Sequence, residues 1–254
     1  MSSIDTAPNG TGAGADQGIY DLGEIYDAIY SGRGKDYAHE SAVVADLVRR
    51  HRPRPGSLLD VGCGTGTHLD HLRGHVGHVE GIDLTDGMLT VARRRLPGVP
   101  LHHGDMRTFD LGRRFDAVVC LFAAVGNLAD GAELDASLAR FAAHLTPGGV
   151  VVVEPWWFPD NFTPHHVGSS ITRQGDRTVA RVSHTVRHSP GASRMEVHYV
   201  VAEAGHGIRR FVDEHVMALL PRERYQQAFT AAGLDVDYHP DAYPGNGVFV
   251  GVAR

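Results

Sequence analysis

The segment Leu58-Leu59-Asp60-Val61-Gly62-Cys63-Gly64-Thr65-Gly66 sets three glycines at alternate positions behind a short apolar run. A glycine-rich turn between a strand and a helix offers its backbone N–H groups and the helix N-terminus to a ligand. The dinucleotide fingerprint G-x-G-x-x-G uses its third glycine for close helix–strand packing. Here Gly62 and Gly64 fit, but Thr67 takes the third place and Gly66 precedes it. Two carboxylates extend the pattern. Asp83 closes the next apolar run, HVEGID, 17 residues beyond Gly66, where it can accept hydrogen bonds from both hydroxyls of a ribose. Asp105 follows a third run in Gly104-Asp105-Met106, where a carboxylate can accept an adenine amino proton beside an apolar side chain. Either aspartate alone could be a helix cap or a turn residue. Together with the glycine turn they mark the C-terminal ends of three successive strands, the ligand edge of an open α/β sheet.

Such an edge needs strands that alternate with helices. Apolar spacing predicts a helix over 36–50, a buried strand over 57–61, a helix over 66–75 and a strand over 78–82. A helix over 86–95, strands over 100–103 and 116–121, a helix over 132–145, a Pro-Gly-Gly turn and a strand over 150–154 follow. The rhythm changes after Pro155. ITRQ, TVARVSHTVRH, SRMEVHYVV and IRRFVDEHV alternate with period two, with Gly175-Asp176 and Pro190-Gly191 at turns, as in antiparallel hairpins. A helix over 222–232, Gly233 as its C′ residue, and strands over 235–239 and 247–252 complete the chain. The expected organisation is a small-polar, disordered leader over 1–18, an α/β core over 19–155 and 217–254, and an antiparallel β insertion over 156–216.

Composition supports this reading and excludes others. The chain has 254 residues, 42% hydrophobic and 21% charged, enough to bury a core without disulfide or metal staples. A net charge of −6 argues against a dedicated nucleic-acid binder, which needs a basic face. The longest apolar stretch, over 117–125, has nine residues and is too short to span a bilayer, and no signal peptide is visible. Cys63 and Cys120 form no disulfide or zinc pattern, so a cytoplasmic, reducing location is expected. His68, His71, His75 and His78 step by 3, 4 and 3, but His78 opens the next strand, so no metal site is expected.

LLDVGCGTGTHL, GIDLTDGML, HHGDMRTF and LTPGGVVVVEP together resemble a class I S-adenosylmethionine-dependent methyltransferase. YDAIYSGRGKDY, EPWWFPDNF, RVSHTVRHSPGASRMEVHY and FTAAGL resemble, more narrowly, the N,N-dimethyltransferases that make dimethylamino sugars such as desosamine and mycaminose. That resemblance implies a Rossmann-like, mostly parallel sheet with one antiparallel strand at its C-terminal end. It also implies S-adenosylmethionine as cofactor, a dTDP-linked amino-deoxy sugar as substrate, and an insertion that helps form the sugar-nucleotide pocket. On this footing Gly62, Gly64, Gly66, Asp83, Leu84, Asp105, Met106 and Leu121 are expected around the cofactor, with Tyr20, Tyr26 and Arg33 from an N-terminal lid. Tyr20 stands for the family's early tyrosine. Two departures stand out: Asn127 ends the loop Phe122-Ala123-Ala124-Val125-Gly126-Asn127 where the family often has His or Tyr, and Gly245-Asn246-Gly247 replaces Gly-Arg-Gly.

Methyl transfer from a sulfonium to an amine asks a site to position a neutral amine and exclude water. Asn127 cannot be a general base, but its carbonyl oxygen can accept an N–H; it could equally be a turn asparagine. Glu154, closing the fifth strand, is the second polar candidate. Trp156 and Trp157 could stack on a thymine or sugar, or fill space between core and insertion. Lys35, Arg181, Arg187 and Arg194 are candidates for a diphosphate, although Arg181, Ser183, Thr185 and Arg187 share a strand face that could be the solvated one. Tyr37 and His184 complete the expected substrate set. A methyltransferase for another small metabolite, or a cofactor-binding protein without catalysis, are the alternatives. The antiparallel module also offers a surface for a homodimer.

Overall fold

The computed structural model describes residue 19 and residues 23–254, so the expectations for the leader and for Tyr20 lie outside the described residues. Helices α1 (Gly23–Gly32) and α2 (Tyr37–His51) precede the sheet. Asp36 starts α2 by accepting the His39 N–H at 2.9 Å, and Arg49, Arg50 and His51 occupy the last turn, where cations favour the helix dipole. The core then runs β1 (Ser57–Val61), α3 (Thr67–Leu72), β2 (His78–Asp83), α4 (Asp86–Arg95), β3 (Leu101–His103), β4 (Phe115–Cys120), a single 3₁₀ turn over Ala124–Asn127, α5 (Gly131–Ala143) and β5 (Leu145–Val153). After four strands β6 (His166–Gln174), β7 (Arg177–Ser189), β8 (Ala192–Glu203) and β9 (Gly207–Ala218), the chain returns through α6 (Arg222–Ala231), β10 (Leu234–His239) and β11 (Val248–Ala253).

The main sheet has the order β10-β11-β5-β4-β1-β2-β3. β1 to β5 pair in parallel, and β11 alone runs against them, between β5 and β10. The buried runs of β1, β4 and β5 suit a sheet covered on both faces. One face packs Phe141 of α5 and Phe229 of α6; the other packs Val44 and Val48 of α2 and Leu69 of α3. β6 to β9 form a separate antiparallel sheet in meander order, and Ile25 and Ile29 of α1 pack on its Val179, Val197 and Val201.

Two boundaries differ from expectation. The α3 helix ends at Leu72, not at 75, so its histidines never form one face: His68 meets Glu40 at 2.8 Å, while His78 on β2 meets Glu80 at 2.7 Å. The expected turn over Pro147-Gly148-Gly149 lies inside β5. His144 ends α5 with its ring on the Arg140 carbonyl, its carbonyl accepts the Phe115 N–H at 2.7 Å, and the chain therefore enters the sheet at Leu145 through a register shift between Phe115 and Ala117.

Glycine at position 251 is demanded by packing, because a Cβ there would lie 2.5 Å from a ring carbon of fully buried Phe229. Gly251→Ala is expected to lower stability by ~1–3 kcal/mol, the usual cost of overpacking, as a reduced urea midpoint at unchanged slope.

Candidate active site

The glycine turn closes on the neighbouring strand. Gly62 and Cys63 donate to the Ile82 carbonyl at 2.8 and 3.0 Å, and Gly64 N–H donates to Asp83 Oδ2 at 2.8 Å. Gly62, Gly64 and Gly66 all have positive φ, a region costly to side-chain-bearing residues. Asp83 Oδ1 accepts from the Thr85 N–H and hydroxyl, so the carboxylate is fixed at the rim of a cavity of about 360 Å³. Gly62, Gly64, Leu84, Asp105, Met106 and Leu121 line the same cavity. Gly66 does not. Its Cβ would meet Leu96 at 2.7 Å, so it begins α3 and lets α3 approach α4.

Asp105 differs from the simple expectation of an open acceptor. Arg107 grips it through Nη2–Oδ2 at 2.5 Å and Nε–Oδ1 at 2.9 Å, and also contacts Glu133 on α5. These hydrogen bonds hold the Asp105 carboxyl below its ordinary range. Asp60, inside the quoted motif but not among the expected contacts, is buried beside the turn with Tyr26, Tyr37 and Gly62. Burial, and then the charge on Asp83, push its carboxyl up to about 7.

A second cavity of about 520 Å³ lies between the sheet edge and the antiparallel sheet. Tyr26, Phe122 and Asn127 line both cavities and form their junction. Phe122 and Ala123 each have φ of 53°, a left-handed turn without glycine that costs ~1–3 kcal/mol per residue and persists only where its surroundings hold it. Glu154 supplies one such hold by accepting the Phe122 N–H at 2.6 Å. It is buried on the second cavity, and desolvation raises its carboxyl despite the opposing effect of Lys35. Trp156 and Trp157 also line this cavity; Trp156 Nε1 donates to Ser193 Oγ at 3.2 Å.

The strand face carrying Arg181, Ser183 and Thr185 is buried and lines the second cavity rather than being solvated. Arg181 is 5% exposed, donates to Ser183 Oγ at 2.9 Å, and has a buried Nε without a hydrogen-bond partner. Among the described residues no carboxylate lies within ion-pair distance of it. The remaining expectations separate. Arg33 lines the second cavity, not the first. Tyr37 packs at the glycine turn against His68 and Phe122. Lys35 is consumed by Glu40 at 2.6 Å and stands over the Phe122 ring at 4.0 Å, so it does not reach the second cavity. Arg187 is exposed, donating to the Pro159 and Pro190 carbonyls beside Phe162. His184 and Arg194 sit on the opposite sheet face, His184 exposed and Arg194 paired with Glu214 at 3.1 Å. Strand alternation explains this: residues of even number on β7 point away from Arg181. Among the described residues no metal-ligand cluster occurs and no helix is long and apolar enough to cross a membrane.

The comparisons agree with this geometry. Residues 58–149 match a methyltransferase domain family. The chain is 54% identical over 232 residues to the dTDP-3-amino-3,6-dideoxy-alpha-D-glucopyranose N,N-dimethyltransferase of Streptomyces fradiae, covering 91% of each. It superposes on Streptomyces venezuelae DesVI with a TM-score of 0.87 at 53% identity, over 92% of this chain and 98% of that one. It also matches S-adenosylmethionine-bound CalS10, an amino pentose methyltransferase from Micromonospora echinaspora, with a TM-score of 0.83 at 49% identity, over 91% and 97% of the two chains. The chain therefore belongs to the class I S-adenosylmethionine-dependent methyltransferases, within the family of dTDP-amino-sugar N,N-dimethyltransferases. It is an enzyme whose cofactor is S-adenosylmethionine.

The raised Asp60 carboxyl has a consequence for stability. A group whose folded value, about 7, exceeds its unfolded value of 3.8 stabilises the fold fully below about pH 4 and loses that contribution as pH rises through 7. Without cofactor, native protein should therefore lose stability relative to Asp60→Asn between pH 5 and pH 8 in urea unfolding. A difference independent of pH would contradict the raised value.

Proposed function

We propose that this enzyme transfers methyl groups, in one or two rounds, to the amino group of a dTDP-linked amino-deoxy sugar of antibiotic biosynthesis. The observation that carries the reading is the meeting of two cavities at Tyr26, Phe122 and Asn127, one edged by carboxylates and the other lined by a buried guanidinium that has no carboxylate partner among the described residues. When bound, the cofactor supplies a methyl group on a sulfonium, a good leaving group that leaves the protein mainly with positioning. In the first cavity, Asp83 accepts from the ribose hydroxyls and Asp105, oriented by Arg107, from the adenine amine. Asp60 faces the ammonium of the methionine portion, which favours its ionised form. These acidic groups and the glycine turn suit a cationic adenosyl ligand.

In the second cavity, residues 156–216 shape the acceptor site. Arg181, which lines this cavity, offers its guanidinium to a phosphate oxygen, the partner a planar guanidinium matches well. Arg33 adds charge at the same cavity, and Trp156 and Trp157 give flat apolar surface for the base or sugar. That places the amine toward the junction. There Asn127, oriented by donation from Nδ2 to the Ala124 carbonyl at 3.2 Å, offers its oxygen to an N–H and so aims the lone pair. Each transfer forms a nitrogen–carbon bond, breaks a sulfur–carbon bond and leaves one surplus proton on nitrogen. Glu154, with its raised carboxyl at the cavity wall, is placed to take that proton.

The direct experiment incubates the enzyme and cofactor with a panel of dTDP-amino sugars and reads products by mass for one or two added methyl groups. Methylation of oxygen instead of nitrogen, or no turnover across the panel, would overturn the reading. Within a productive pair, Arg181→Met should raise KM for the nucleotide sugar by ~10–100-fold, the worth of ~1.5–3 kcal/mol for hydrogen bonds to a charged group, with cofactor affinity unchanged in calorimetry.

A further inference from the structure

Glu154 is held from two sides. Its Oε2 accepts the Phe122 N–H at 2.6 Å and the Tyr243 hydroxyl at 2.9 Å. Phe122 belongs to the strained turn at the junction of the cavities, whereas Tyr243 comes from the segment that joins β10 to β11. Tyr243 is 5% exposed and packs in the core beside Val248 and Leu121, so its hydroxyl reaches Glu154 from the interior. Its near neighbours Gly245 and Asn246 line the acceptor cavity. Asn246 is fixed there in turn: its side chain accepts from Asn161 at 3.1 Å and its carbonyl accepts the Tyr238 hydroxyl at 2.7 Å. One short segment therefore forms cavity wall with Gly245 and Asn246 and grips a buried carboxyl with Tyr243.

We propose that Tyr243 is a positioning residue for methyl transfer: by donating to Oε2 beside the Phe122 N–H, it leaves the Oε1 of Glu154 turned to the acceptor amine. This rests on the reading of Glu154 as the group that takes the amine proton. A carboxyl free to rotate in a pocket would share its oxygens between the turn and the amine. Two donors converging on one oxygen remove that freedom, and preorganisation of this kind lowers the barrier without changing how tightly substrate binds. The hydroxyl also stabilises the ionised carboxylate against burial, with Lys35 acting in the same direction and Glu40 against it. On β4, burial first and then the charges of Asp60 and Glu154 raise the Cys120 thiol.

The test is Tyr243→Phe, which keeps the ring and its packing. Expected is a kcat lower by ~10-fold, the scale of lost positioning of one catalytic group. KM for the dTDP-amino sugar and the affinity for S-adenosylhomocysteine should stay within ~2-fold of native, because neither cavity loses a contact. The acidic limb of the kcat–pH profile should move to higher pH, since a carboxylate that loses a donor is protonated more easily. Glu154→Gln should abolish that limb, and the double variant should be no slower than Glu154→Gln alone. Native kcat and an unmoved limb in Tyr243→Phe, with Glu154→Gln impaired, would overturn the role of Tyr243 and leave Glu154 in place. A native Glu154→Gln would overturn the reading of Glu154 itself. Parallel loss of kcat and S-adenosylhomocysteine affinity in Tyr243→Phe would reduce Tyr243 to a packing residue.

Discussion

The Asp27 carboxylate on α1 is the tie on which both cavities depend. One oxygen accepts the Thr65 hydroxyl at 2.5 Å in the glycine turn, and the other pairs with Arg95 of α4 at 2.6 Å. Arg95 returns to the turn through the Thr65 carbonyl and the Thr67 hydroxyl. A ten-residue helix has little stability of its own in water, so α1 is placed by such tertiary contacts. Once placed, it brings Tyr26 to the junction, Tyr30 and Arg33 to the acceptor cavity, and Ile25 and Ile29 onto the antiparallel sheet. The anchor that steadies the cofactor turn thus also fixes how the second sheet faces the first.

Charge is distributed along the two cavities with a consistent sense. Asp83 and Asp105 edge the first cavity, Asp60 lies beside the glycine turn, and Arg33 and Arg181 line the second cavity. Burying Arg181 without a carboxylate is costly for the empty fold, as is burying Asp60 beside Asp83. Under the proposed function, a phosphate beside Arg181 and an ammonium beside Asp60 lower both costs.

What the chain's order discloses about this arrangement follows the range of each interaction. The glycine turn, Asp83, Asp105 and the alternation of strands and helices are local patterns, so spacing alone exposes them. The β7 alternation separates Arg181 from His184, but which face is buried depends on where α1 and the main sheet lie, and both are remote from β7 along the chain. Asp27, Glu133 and Tyr243 act across 38, 26 and 89 residues respectively, and no periodicity marks them. Asp60 is different: it stands within the motif, and its place at the buried end of β1 was a readable signal. The early start of β5 comes from His144, which caps α5 and receives the Phe115 N–H, a contact that only the fold supplies.

The antiparallel sheet leaves the main sheet just after β5 and rejoins it just before α6, so the excursion begins and ends at one edge of the core. Changes along its strands leave the register of β1 to β5 untouched. Under the proposed function, an enzyme built on this plan changes its sugar by altering the outer storey while keeping the methyl-donor floor unchanged.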